Sequence, residues 1–99
     1  MKNIETAVTH TTPADGNIFA DLGFEPVEAA KLLIKAELMI EIEQWVVSKK
    51  LKQREAAKIL KVSRPRLSDV MTGKIRKFTI DALVDMLENA GLHVTVHVA

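Results

Sequence analysis

Basic side chains are concentrated in one part of this 99-residue chain. The segment 48–77 holds eleven Lys or Arg and two acids, a net charge of +9, so the rest of the chain carries −8 for a total of +1. Solubilising surface charges usually mix both signs, whereas segregation of this kind is typical of a face that binds a polyanion. Arg64 and Arg66 are notable here, because a guanidinium can make two hydrogen bonds to a guanine edge or a phosphate.

The other residue types that carry chemistry are not arranged for catalysis or metal binding. The chain has no cysteine, which excludes disulfides, thiolate nucleophiles and cysteine-ligated zinc. His93 and His97 are four residues apart on a predicted strand, about 13 Å, which is too far for one metal ion. Glu37, Glu41 and Glu43 have no histidine or nucleophile near them in sequence. We therefore expect no enzyme, no metal and no cofactor.

Two short amphipathic patterns carry the basic segment. Residues 53–60 and 64–71 each have helical spacing, and a break at 61–63 separates them. Ser63 stands where an N-cap belongs, and Pro65 lies in the first turn, where its missing N–H costs no hydrogen bond. The start of the second helix is therefore closely specified.

One side of each short helix is apolar. Ala56 and Ala57 are small enough to let the two helices approach closely. The larger apolar residues predicted to face the core are Leu60, Val62, Leu67 and Val70. The exposed stripe of the second helix would then carry Arg64, Pro65, Arg66, Ser68 and Asp69.

The remaining pattern predicts three more helical segments in a single small domain. They are a short turn within 17–26, a long amphipathic helix from Val27 to about Lys49, and a last helix over Ile80–Ala90, which Thr79 caps and Gly91 stops. The apolar stripe of the long helix is predicted to consist of Ala30, Leu33, Ile34, Leu38, Ile42, Trp45 and Val46. We predict a mobile N-terminal arm at 1–16, a helical domain at 17–91 and a C-terminal segment at 92–99. The polar start of the chain resembles neither a signal peptide nor a membrane span, so we expect a cytoplasmic protein.

The C-terminal segment alternates apolar and polar residues, which predicts a strand. No other segment was expected to be a strand, so the favoured partner is the same strand of a second copy, paired antiparallel across a two-fold axis. The residues assigned to this dimer contact are Leu92, Val94, Val96 and Val98. The alternatives are a frayed tail, pairing with the N-terminal arm, or strand addition to a partner protein.

The segment Gln53–Val70, with the sequence QREAAKILKVSRPRLSDV, resembles the helix-turn-helix of the Cro/CI-repressor (XRE) family. The resemblance is closest to the HigA-like antitoxin branch and covers about residues 17–98. It implies a mainly α, lambda-repressor-like bundle of about five helices with one C-terminal strand that pairs across a dimer. Lys61 departs from the pattern, which often has glycine there, although a non-glycine residue can adopt the left-handed conformation at modest strain.

The resemblance also implies roles for individual residues on double-stranded DNA. Those implied to face base edges are Arg64, Pro65, Arg66 and Asp69. Those implied to contact the DNA backbone are Gln53, Lys61, Ser63, Lys74, Arg76 and Lys77, the last three in the loop after the second helix. An antitoxin also binds a toxin protein. We hypothesise that this contact is made by the apolar group at the start of the helical domain: Ile18, Phe19, Leu22 and Phe24.

The function that these residues imply is that of a sequence-specific repressor that is also the antitoxin of a type II toxin–antitoxin pair. Such a protein regulates its own operon and neutralises a RelE/HigB-like ribonuclease toxin. Two alternatives stay open: a phage-type or other transcriptional regulator without a toxin, and a protein-interaction module that never binds DNA. Binding to an operator duplex separates the last alternative from the others.

Overall fold

The computed structural model describes residues 7–11 and 17–98. Its elements, in chain order, are β1 (Ala7–Thr11), α1 (Ile18–Asp21), α2 (Pro26–Ser48), α3 (Gln53–Leu60), α4 (Arg64–Met71), a 3₁₀ turn (Ile75–Lys77), α5 (Ile80–Asn89) and β2 (His93–His97). The predicted mainly α bundle of five helices with a C-terminal strand is therefore confirmed. Pairing of that strand across a dimer stays a prediction.

The helices α1 and α5 begin where short polar side chains cap them. The Asn17 side chain accepts a hydrogen bond from the Phe19 amide at 2.8 Å, and the Thr79 hydroxyl accepts one from the Ala82 amide at 3.0 Å. Caps of this kind give partners to amides that have none within the helix. At the other end of α5, Gly91 has a φ of +86°, which confirms the predicted glycine stop.

The core lies where α2 packs against α3, α4 and α5. Its most deeply buried large side chains come from all four helices: Leu38, Ile42, Leu60, Leu67, Val70, Leu83 and Leu87. Trp45 is also buried, as its place in the apolar stripe predicted. This packing fixes α4 at the surface with one side against the core.

The buried side of α2 differs from the prediction in its N-terminal half. Ala29 and Leu32 are buried there, whereas Ala30 is exposed and Leu33 is half-buried. The helix contacts α1, β1 and the 3₁₀ turn as well as α4 and α5. Its buried residues from Leu38 onwards belong to the core cluster, whereas Ala29 and Leu32 do not. A helix that meets different neighbours along its length need not keep one apolar stripe. Although α2 has 23 residues, no described helix is long and apolar enough to cross a membrane.

The expectation of a single strand was wrong. β1 pairs with β2 in parallel, and Ala7 lies opposite His93 while Thr11 lies opposite His97. The pairing supplies backbone partners to β2 from within the chain, which was one of the open alternatives. The β-branched residues Val8, Thr9 and Thr11 were the signal for this strand. The rest of the predicted arm, 1–6 and 12–16, and Ala99 lie outside the described residues.

Candidate nucleic-acid interface

The helices α3 and α4 meet through small and fully buried side chains. Ala56 is 0% exposed and Ala57 is 4% exposed on α3, and both belong to the core cluster that contains Leu67 and Val70 of α4. An alanine lets the backbones approach closely, so α3 can brace α4 against the rest of the bundle. The predicted burial of Leu67 and Val70 in the core is confirmed, and Ala56 and Ala57 are buried beside them.

The turn between the two helices is held by backbone conformation and by one side chain from α5. Lys61 has φ 61° and ψ 42°, the left-handed conformation in which glycine is common. The Val62 amide then donates to the Ala57 carbonyl at 3.0 Å. The Asn89 side chain donates to the Leu60 carbonyl at 3.2 Å, a contact that no local pattern indicated.

The start of α4 is capped as predicted, and its first residues are exposed. The Ser63 hydroxyl accepts a hydrogen bond from the Arg66 amide at 3.2 Å, and Pro65 lies in the first turn. The Arg64 side chain makes no hydrogen bond or ion pair to any part of the chain that the structure describes. Its guanidinium is therefore available to a ligand.

Arg64 borders a cleft of about 280 Å³ between the starts of α3 and α4. The cleft is also lined by Lys52, Gln53, Arg54 and Glu55. Glu55 accepts a hydrogen bond from the Lys52 amide at 3.1 Å, so this acid is used to cap α3. The two helix starts thus bring exposed cations and a glutamine together on one surface.

Two short helices joined by a tight turn, with the start of the second helix exposed, are the arrangement of a helix-turn-helix. The model of the helix-turn-helix domain family matches residues 18–99. The chain belongs to this family. No curated protein matches the sequence. A helix-turn-helix is a DNA-binding fold in which the second helix enters the major groove, which makes α4 the recognition helix.

Arg66 of the recognition helix is turned towards the loop that follows. Its guanidinium carbon lies 4.1 Å from the centre of the Phe78 ring, and its Nη1 donates to the Lys77 carbonyl at 2.8 Å. Phe78 is only 2% exposed. Arg66 is half-buried by these contacts, unlike Arg64.

Asp69 is also engaged by the loop. Its carboxylate oxygens lie 3.6 Å from the Lys74 ammonium and 3.6 Å from the Lys77 ammonium. The Lys74 amide donates to the Asp69 carbonyl at 3.0 Å as well. Of the three loop cations that were predicted to contact the DNA backbone, two are therefore held at the Asp69 carboxylate.

The third loop cation, Arg76, connects the helix-turn-helix to α1 and α2. Its Nη1 lies 3.6 Å from a carboxylate oxygen of Glu28, and its guanidinium carbon is 5.7 Å from the centre of the Phe24 ring. Phe24 packs edge-to-face on Phe19, with 6.0 Å between ring centres. Ile18 and Leu22, the other two residues assigned to toxin binding, are 59% and 69% exposed.

The C-terminal residues assigned to a dimer contact divide into two pairs. Leu92 and Val94 are half-buried against the core, whereas Val96 and Val98 are 61% and 94% exposed. Only the second pair presents free apolar surface in the described structure.

The junction of α5 and β2 is held by Glu88. Its Oε2 accepts a hydrogen bond from the Val94 amide at 3.0 Å, and its Oε1 lies 3.2 Å from His93 Nδ1. The bond from Val94 lowers the pKa of the Glu88 carboxyl; desolvation opposes this shift, and His93 adds to it. The His93–Glu88 pair thus has a structural role, and no group of residues that could hold a metal ion exists among the described residues.

Proposed function

We propose that this protein is a sequence-specific transcriptional repressor whose recognition helix reads DNA with Arg64. The observation that carries the proposal is the free guanidinium of Arg64 at the capped start of α4, beside Gln53, within a segment of net charge +9. An arginine at the start of a recognition helix is well placed to contact a guanine edge in the major groove. A repressor of this kind would act on chromosomal DNA in the cytoplasm.

The contacts in the free protein support different roles for the residues assigned to DNA. Arg64 and Pro65 are the residues proposed to face bases. Those proposed to contact the backbone are Gln53, Lys61, Ser63, Lys74, Arg76 and Lys77. Arg66 and Asp69 were also expected to face bases, but each would first have to leave a contact within the chain.

The repressor proposal is tested by titration at fixed salt. Fluorescein-labelled duplex carrying the palindrome upstream of the gene is compared with a scrambled duplex of equal length and composition. Specific DNA-binding proteins typically prefer their sites by a factor of 10³ or more. Equal affinity for the two duplexes would overturn sequence-specific repression, and no salt-dependent binding to either would favour the protein-interaction module.

We also propose that two copies associate through the outer part of β2. In a two-stranded sheet β1 occupies one edge of β2. The exposed Val96 lies near the end of β2, and the exposed Val98 directly follows it. Leu92 and Val94 would support that contact from the core side. Two copies would present their Arg64 side chains to half-sites about 34 Å apart.

Sedimentation equilibrium tests the dimer. The double variant Val96→Lys/Val98→Lys places like charges in the proposed contact and is expected to sediment as a monomer. Val47→Lys, at a valine on α2 that is 67% exposed, is the matched control and should leave the mass unchanged. A wild-type monomer, or a dimer that survives the double variant, contradicts this contact.

The most specific part of the proposed function is the antitoxin role. Exposed apolar residues that adjoin each other on a small protein often mark a partner surface, and Ile18 and Leu22 are such residues. If the neighbouring gene encodes a RelE/HigB-like ribonuclease, co-expression with this chain should restore growth, and Leu22→Glu should abolish the rescue. A neighbouring gene of another kind would favour a phage-type or other regulator without a toxin.

A further inference from the structure

Two side chains of α4 hold the loop that follows it. Arg66 and Asp69 are three residues apart, so they lie on adjoining parts of the helix surface. Arg66 contacts the Phe78 ring and the Lys77 carbonyl, and Asp69 contacts both loop lysines. The side chain of Arg64, two residues before Arg66, makes no hydrogen bond or ion pair with any described residue.

The contact of Arg66 with the loop uses the planar shape of its side chain. The guanidinium lies over a buried aromatic ring while one N–H points at a carbonyl. A lysine would keep the charge but could not stack and donate in the same fixed geometry. The arrangement therefore depends on arginine itself and not only on positive charge.

We propose that Arg66 is a positioning residue that holds the loop Lys74–Lys77 beside the recognition helix and does not read a base. The proposal rests on the DNA-binding function proposed above. With the loop held, Lys74 and Lys77 lie beside Asp69 of α4, and these two lysines can bind phosphates while α4 occupies the groove. Without Arg66, the contacts of Asp69 with Lys74 and Lys77 remain, but the loop loses its contacts with α4 at the Lys77 carbonyl and the Phe78 ring, so the cations are held less firmly.

The first test uses the free protein. The variant Arg66→Lys is compared with the matched control Arg64→Lys by amide hydrogen exchange. The amides of Lys77 and Phe78 donate to the carbonyls of Lys74 and Ile75, so they report whether the loop is closed. We expect faster exchange at these two amides in Arg66→Lys only, with unchanged exchange in α5 showing that the fold is intact.

The second test uses DNA. Both variants are titrated with the operator and with duplexes in which each base pair is changed in turn, at several salt concentrations. Arg66→Lys should weaken binding to every duplex by a similar factor and lower the salt slope by roughly one to two units, since loop–phosphate contacts are lost. Arg64→Lys should instead change the preference at one position of each half-site.

The outcomes separate the two proposals. If Arg66→Lys leaves hydrogen exchange at Lys77 and Phe78 unchanged, the positioning role is overturned. A loss of DNA affinity in Arg66→Lys that is confined to one base position overturns it as well. A loosened loop with an unaltered salt slope overturns it too, because the loop would not act on phosphates. If the wild-type protein binds no duplex, the proposed function fails, and the exchange measurement alone decides whether Arg66 holds the loop.

Discussion

The guanidinium of Arg76 lies between Glu28 and the Phe24 ring, 3.6 Å from the carboxylate oxygen and 5.7 Å from the ring centre. Arg76 belongs to the basic loop, whereas Phe24 belongs to the apolar group next to α1. These two surfaces are far apart in sequence but share one side chain.

Removing the charge of Glu28 should strengthen DNA binding. Glu28→Gln takes a competing carboxylate from Arg76, and an exposed ion pair contributes about 1 kcal/mol at most, so the affinity should rise by up to about fivefold. Glu41→Gln makes the same charge change further along α2 and should alter affinity less. Equal effects of the two variants, measured by anisotropy at low salt, would mean that only net charge matters.

Arg64 and Lys77 should affect DNA binding in different ways. Arg64→Ala should cost about 1–3 kcal/mol on the preferred duplex and relax the choice of base at one position. Lys77→Ala should weaken binding to all sequences and lower the salt slope by roughly one unit. Titrations against a set of single base-pair variants distinguish them, and a uniform loss in Arg64→Ala would contradict its role in base reading.

Two lysines with positive φ allow stability and DNA binding to be separated. Lys50 has a φ of 56° and Lys61 has a φ of 61°. Glycine removes the strain of this conformation, about 1–2 kcal/mol, but it also increases the entropy of the unfolded chain, which costs about 0.4–1 kcal/mol. Because the first effect is larger, each Lys→Gly change should stabilise the fold by about 0.5–1 kcal/mol. Urea unfolding measures this gain. Of the two variants, only Lys61→Gly should also weaken DNA binding. An equal loss of DNA affinity in Lys50→Gly would exclude a specific phosphate contact by Lys61.

The Glu88 carboxylate should contribute stability that depends on pH. Its pKa is lowered from 4.5 in the folded state, so the contribution is fully present above the unfolded pKa and is lost as pH falls through the folded pKa. Glu88→Gln should therefore lower the Tm at neutral pH and weaken its dependence on pH in the acid range. Asp85→Asn, on the same helix, is the control. Parallel Tm–pH curves for wild type and Glu88→Gln would contradict the role of the bond to Val94.

Local sequence signals were sufficient for the helix-turn-helix. The bounds of α3 and α4 agree with the prediction because each end is set by a nearby residue. Ser63 caps α4 through its own hydroxyl, and the left-handed Lys61 ends α3. The same applies to α5, which lies between Thr79 and Gly91. Caps, turns and apolar periodicity act within a few residues, so they can be recognised without tertiary structure.

The direction of the charged side chains on α4 could not be recognised in this way. The sequence placed Arg64, Arg66 and Asp69 together on one exposed stripe. In the structure the Arg64 side chain is free, but Arg66 and Asp69 contact the following loop, which is anchored to the core by the buried Phe78. Which arginine faces a ligand is thus decided by packing between elements.

The sequence by itself determined the basic segment, the two helices that carry it and the capped position of Arg64, because these depend on composition and short-range spacing. Tertiary structure decided that Ala7–Thr11 pairs with His93–His97, that Ala29 is buried instead of Ala30, and that Arg66 holds the basic loop. These features join residues between eleven and eighty-six positions apart or depend on which neighbours a helix meets. No local pattern encodes such contacts, since they form only when the whole bundle closes around its core.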